Sequence, residues 1–218
     1  MTSDKDGNEI VTSEMATSDD RCSTEAAPDD LTSRARIRNA ALHQFALNGF
    51  AGTPLRAIAS EAGVAIGLIG HYFGSKEGAR EGVESWIVGL FSASLDRADA
   101  RSESTIADGL ARDDSVAQML RDNPLVVDYL RRHVLELPIS GQLISRLSAL
   151  SMESVDAMRK AGHASANRDR VEQVVTAMVR QLGKLFLQPL VDQIVDSFPE
   201  DEQPATHPEL RVEITMTK

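Results

Sequence analysis

Aromatic residues are scarce in this chain, 4% of 218 positions, so its core must be filled by Ala, Leu, Val and Ile, a filling that favours helices. Proline is limited to 8 positions, and the helix breakers cluster instead of recurring at the spacing of short strands. The single cysteine, Cys22, cannot close an internal disulfide and has no metal-ligating company. No apolar run approaches the roughly 20 residues of a membrane span. The first residues, MTSDKDGNEI, are acidic and carry no apolar h-region, which argues against a secretory signal. There is no G-x-S-x-G elbow and no phosphate-binding glycine loop followed by Lys-Ser/Thr. These absences leave the expectation of an all-α, cytoplasmic protein that is not an enzyme, needs no cofactor or metal, and makes no use of a membrane.

What is present is apolar content of 42%, enough for a real core, and a net charge of −10 that is unevenly placed. Residues 1–30 hold nine acids and two bases. Residues 31–80 hold six bases (Arg34, Arg36, Arg38, Arg56, Lys76 and Arg80) and two acids, and the remainder is acidic again. A short basic block inside an acidic chain is the footprint expected of a nucleic-acid contact confined to one segment.

Residues 1–32 have almost no large apolar side chains and are expected to be a disordered acidic tail. From Ser33, Ile37, Ala41 and Phe45 fall one turn apart, and Gly49 is a suitable stop. In TPLRAIASEAG, Thr53 can cap and Pro54 suits the first helical position. Leu55, Ile58, Ala59 and Ala62 then form one stripe that ends at Gly63. A third helix is predicted from about Ile66 to Phe73, and a fourth, capped by Ser75, over about 76–98. Further helices are predicted at about 103–111, 115–121, 123–137, 139–161 and 168–187, with Pro189 kinking or restarting the last. Residues 199–218 read as a C-terminal tail, in which Leu210, Val212, Ile214 and Met216 alternate like a strand. The chain therefore divides into a head over 33–78 and a helical body over 79–198.

Within the head, a helix, a three-residue turn and a second helix carry the chemistry. Ala59 must be small where the helices cross, Gly63 supplies a left-handed turn, and Ile58, Val64 and Ile69 fill the wedge. That pattern is a helix-turn-helix, a unit that lays its second helix in the DNA major groove. Two interior glycines, Gly67 and Gly70, are unexpected in such a short helix, since each costs about 1 kcal/mol against alanine. On the face that would meet DNA, a bare backbone permits close approach but reads few bases directly, which predicts some reliance on DNA shape.

With FALNGF, TPLRAIASEAGV and GLIGHYFGSKEG in order, the run from Arg34 to about Trp86 resembles the DNA-binding domain of the tetracycline-repressor (TetR) family of bacterial transcription regulators. The resemblance implies an N-terminal three-helix DNA-binding domain and a C-terminal helical ligand-binding and dimerisation domain. It also implies a homodimer on a palindromic operator in double-stranded DNA, released when a small-molecule effector binds. Carried over by position, Thr53, Arg56, Tyr72 and Lys76 are expected at phosphates, with Arg34 in the same basic set. Ala65, Ile66, Gly67, Gly70 and His71 are expected at the groove floor. Relatives often carry tyrosine or another large side chain at Gly70 and serine or threonine at Ala65, so this face has little hydrogen-bonding capacity.

Other patterns compete. Gly67-Leu68-Ile69-Gly70 fits the GxxG loop of KH domains, but no strand pattern flanks it. His133 and Glu136 share a helix face, yet a metal would need a second pair, and none stands out. Trp86, Phe91, Met119, Tyr129, His133, Met152 and Met158 are candidates for the lining of an effector pocket, although Met and aromatic stripes also build plain cores. The poor recognition face leaves one alternative function, a helical binding module whose head has lost specific DNA readout.

Overall fold

The computed structural model describes residues 28–99, 107–135 and 141–210, so most of the acidic N-terminal stretch with Cys22, Glu136 and the alternating end beyond Leu210 lie outside it. Eight helices account for the regular structure among the described residues. The head comprises α1 (Pro28–Gly52), α2 (Leu55–Ala62) and α3 (Ile66–Phe73). Helix α4 (Lys76–Asp99) runs out of the head into a body of α5 (Ala107–Asp122), α6 (Pro124–Leu135), α7 (Leu143–Lys160) and α8 (Arg170–Asp196). Ile37, Ala41 and Phe45 are buried on one face of α1, against Ile58 and Ile69 and against Ala79 and Val83 of α4. The first helix begins at Pro28 rather than Ser33, correcting the expectation of a tail through residue 32. Proline is well suited to that first position because its φ is preset and no N–H is lost there.

Two helices contain breaks that other helices mend. At Gly49 (φ 69°) α1 leaves helical geometry. The carbonyls freed there are taken up from a distance: Arg132 of α6 donates through Nε to Ala46 O and through Nη2 to Leu47 O, both at 2.8 Å. In α8, Pro189 lacks the N–H that would bond to Leu185 O. Arg131, the neighbour of Arg132, donates to that carbonyl at 3.2 Å. Of the kink or restart expected at Pro189, the restart is excluded, because Arg170–Asp196 is one helix with Pro189 inside it. Asp169 caps its start, accepting from the backbone of Val171 and Glu172.

Two further expectations on the body are corrected. From Ala107, where description resumes, the segments expected at 103–111 and 115–121 run together as one helix, α5, with no Gly or Pro in its polar Arg112-Asp113-Asp114 centre. Arg112 is buried there, held by both carboxylate oxygens of Asp99 (2.6 and 2.7 Å) and by the Ser154 hydroxyl (2.6 Å). Helix α7 starts at Leu143, not near 139, because Gly141 lies at φ 93°. After α8 the chain folds back along it. The Gln188 amide donates to Pro208 O and accepts from Leu210 N, as a neighbouring strand would.

Candidate nucleic-acid interface and body cleft

Helix α2 ends in a Schellman turn: Val64 N donates to Ala59 O, Gly63 N donates to Ser60 O, and Gly63 sits in the left-handed region (φ 63°). This turn sets the angle between α2 and α3. Ile58, Ala59, Ala62 and Ile69 close the wedge, with Val64 half-buried beside them. What α3 turns outward is then fixed by its period. Ala65, Ile66, Gly67, Gly70 and His71 are all exposed, Ile66 by 54%. Gly67 and Gly70 have no packing reason to be glycine, since a Cβ at either would meet nothing within 4 Å.

The glycines that packing demands lie in the next helix. A Cβ at Gly78 would fall 1.8 Å from the carbonyl oxygen of Phe73, and one at Gly82 2.5 Å from the Phe73 ring. Together they let the end of α3 dock on α4. Ser75 caps α4 by accepting from Gly78 N. The Glu77 carboxyl is held below its usual range by its own backbone N–H and the Ser75 hydroxyl, with a smaller contribution from nearby Arg80 and Lys76.

The basic block divides by job. Arg34 lies over the Phe73 ring, Arg36 donates to Gly63 O, and Arg38 lies 4.4 Å over Trp86, where burial and the charge of Arg34 lower its pKa. These three tie α1 to the rest of the head and to α4. Lys76 is half-buried, 4.6 Å over the Phe50 ring, with Nζ 3.5 Å from Ala51 O. Tyr72 is half-buried and packs on the core while touching His71 edge-on. Arg56 is exposed and has no ion pair among the described residues. Thr53 requires a correction. It is 0% exposed, and its hydroxyl donates to Gln44 O and Gly49 O. Pro54 occupies the cap position of α2 instead. A hydroxyl with no accessible surface, committed to the carbonyls of the α1 break, is not available to a phosphate.

The body contains an open cleft between α4, α5, α7 and α8. Phe91 and Met158 line it as expected from the sequence; Trp86, Met119, Tyr129, His133 and Met152 do not. Trp86 is pinned beneath Arg38, and Met119, Tyr129 and His133 are core. Tyr129 and His133 stack on each other beside the fully buried Glu84 of α4. Glu84 accepts from the Tyr129 hydroxyl and from Gln142 N, locking α4 to α6 and to the start of α7. The lining that sequence reasoning missed is partly apolar, with Leu95, Leu147 and Met178 among it, and partly polar: Arg112, Asp113, Ser151, Ser154, Arg180 and Gln181.

Residues 37–79 match the family model of bacterial regulatory proteins, tetR family. Over 58 residues the chain is 53% identical to the HTH-type transcriptional regulatory protein RaaS of Mycobacterium tuberculosis, covering 27% of each chain. Over 48 residues it is 40% identical to the regulator BetI of Paraburkholderia phytofirmans, covering 22% of this chain and 25% of that one. The chain thus matches about a quarter of the length of these curated relatives. Whole-fold likeness reaches further. The regulator FadR of Bacillus subtilis, solved with stearoyl-CoA, superposes with TM-score 0.60 at 17% identity, over 73% of this chain and 88% of that one. A TetR-family regulator of Haemophilus influenzae superposes with TM-score 0.59 at 17% identity, over 78% and 94%. Residues 37–79 thus form a DNA-binding head of the tetR-family kind, and the described length shares its fold with solved regulators that carry such a head.

Proposed function

We propose that the chain is a transcription regulator that binds a palindromic operator as a homodimer and is released by a small-molecule effector held in the body cleft. The observation that carries the DNA reading is the outer face of α3: bare, exposed, built on a fixed turn and free of packing duties. Ile66 offers an apolar contact for a thymine methyl and His71 a hydrogen bond to a base edge. Arg56 is the cation best placed for a phosphate, at the start of α2 where the helix dipole adds to its charge. The dimer reading is supported by an exposed apolar stripe on α8. Twofold symmetry of the pair then calls for half-sites one helical turn or a multiple apart, about 34 Å per turn.

A mobility-shift titration against the chain's own upstream DNA tests this. Specific binding should exceed binding to random DNA by at least about a thousandfold at physiological salt. Equal affinity for both would instead leave a helical binding module with no specific readout. Arg56→Ala should weaken operator and random DNA alike and lower the slope of log affinity against log salt by about one. An unchanged slope would remove Arg56 from the phosphate contacts.

Release requires that the cleft influence the head. Helix α4 runs from the cleft, at Phe91 and Leu95, into the head, and α6 provides a second connection to the head through Arg132. Arg132→Ala should strand two carbonyls at the α1 break and cost about 2–3 kcal/mol of stability, the range for hydrogen bonds to a charged donor. Thermal unfolding measures that. A melting curve like that of the wild type would mean that water replaces the guanidinium there.

A further inference from the structure

The charges that line the body cleft cancel within the protein. Arg112 has its guanidinium spent on both oxygens of Asp99 and on Ser154, and it is 8% exposed. Arg180 is paired with Asp113, whose Oδ1 also accepts from Gln181. An incoming carboxylate or phosphate could reach Arg112 only by displacing a carboxylate that already makes charge-assisted hydrogen bonds, and at Arg180, whose Nε and Nη2 sides face Asp113, it would bind a guanidinium whose charge that carboxylate already offsets. An incoming ammonium would face the same obstacle at Asp99 and Asp113. Much of the rest of the lining is apolar and adaptable, including Met158, Met178, Phe91 and Leu95. Ser154 is committed to Arg112. Ser151 is the lining hydroxyl with no hydrogen-bond partner among the described residues.

We infer that the cleft takes an uncharged lipophilic molecule, held by burial of its apolar body and by one hydrogen bond to Ser151, with neither arginine acting as an ion receptor. The inference rests on the regulator reading only in treating the cleft as the effector site; the binding chemistry stands without DNA. A site of this kind selects by length more than by detail. A single methylene is worth about fourfold in affinity when buried, whereas a charged group meets only arginines and carboxylates that are already paired.

The test is calorimetric titration of the full chain with three probes of equal chain length: decanol, decanoate and decyltrimethylammonium, each below its micelle concentration. Decanol should bind at least tenfold more tightly than either ion, and octanol, shorter by two methylenes, should bind about tenfold or more weakly than decanol. Ala177→Phe, which fills the cleft from α8, should abolish decanol binding while operator affinity is retained. Ser151→Ala should weaken decanol binding several-fold without altering the melting temperature. Decanoate binding more tightly than decanol, with that preference lost in Arg180→Gln, would overturn the inference. So would failure of all three probes to bind, or decanol binding unaffected by Ala177→Phe. A protein that shifts its operator but binds no probe loses this inference alone. One that binds decanol but shifts no DNA loses the regulator reading alone.

Discussion

Gly78→Ala is expected to lower the melting temperature of the chain by about 6–12 °C, while Gly67→Ala and Gly70→Ala are each expected to raise it by about 1–4 °C. The opposite signs follow from what a methyl group would meet. At Gly78 it lands on the backbone carbonyl of Phe73, which cannot rotate away, so α3 must lift off α4 or the first turn of α4 must unwind. Overpacking against backbone belongs at or above the upper end of the usual range, about 3 kcal/mol. Gly82→Ala meets only the Phe73 ring, which can tilt, and should cost less. At Gly67 and Gly70 the new methyl meets nothing, and alanine recovers about 0.5–1 kcal/mol of backbone entropy at each. Circular dichroism melts of the four variants of the full chain provide the comparison. A wild-type melt for Gly78→Ala would mean that α3 and α4 meet differently. The two stabilised variants then test the face itself. If its bareness serves close approach to the groove, they should be sturdier proteins with altered operator affinity, on the order of tenfold. If their operator affinity is unchanged, α3 does not meet DNA in this way.

These glycines also mark where sequence reasoning succeeds and where it stops. Gly63 was legible because a Schellman turn is local: the stripe of Leu55, Ile58 and Ala62 ends where the left-handed residue stands. Ile37, Ala41, Phe45, Ile58 and Ile69 were legible as core because helical period alone selects them. Gly78 and Gly82 carried no such signal. Their necessity comes from the Phe73 carbonyl and ring, and nothing in the spacing announces that contact. Thr53 failed for a similar reason. A threonine before Pro-Leu-Arg reads as a cap, but the break at Gly49 exposes carbonyls that claim its hydroxyl first. Arg131 and Arg132 look like a solvated pair in sequence. Their role appears only once α1 and α8, one broken by glycine and the other by proline, present orphan carbonyls on either side of α6. The cleft was least legible. Its candidates were chosen as aromatic and methionine side chains, whereas the lining is drawn also from Leu95, Leu147 and Leu150 and from the ion-paired Arg112 and Arg180, none of which the spacing singles out. Arg112 shows this most directly, since it sits in what reads as a polar interruption between two short helices.

Replacing Leu190 and Ile194 of α8 together with glutamate is expected to turn a dimer into a monomer and to remove specific operator binding, with little change in the fold of the single chain. Leu187, Leu190, Ile194 and Phe198 recur every three or four residues along the last turns of α8 and just past its end, each 46–52% exposed. Val171, Val175 and Val179 continue exposed apolar surface along the first half of the helix. Beside it, α7 turns Ala149 and Ala157 outward, small residues that would let a second copy approach closely. A run of this length that a chain leaves exposed by itself is most simply accounted for by burial against the same run of a second copy, since a twofold axis makes one patch serve both partners. The returning segment that ends at Leu210 does not cover it. That segment is held by Gln188, Asp192 and Lys184, which lie on a different face of α8. Because Leu190 and Ile194 are half in water in the single chain, their replacement should change its own stability by no more than about 0.5 kcal/mol. In a twofold interface the same two changes place four carboxylates in an apolar contact, a penalty of several kcal/mol that weakens association by about a hundredfold or more. Light scattering at micromolar concentration should then give the mass of one chain, against two for the unmodified protein. A head freed from its partner keeps its half-site contacts but loses the second half-site, so its operator affinity should fall toward its affinity for random DNA. A doubly substituted chain that still scatters as a dimer would place the interface elsewhere. One that becomes monomeric yet holds its operator undiminished would separate dimerisation from DNA recognition altogether.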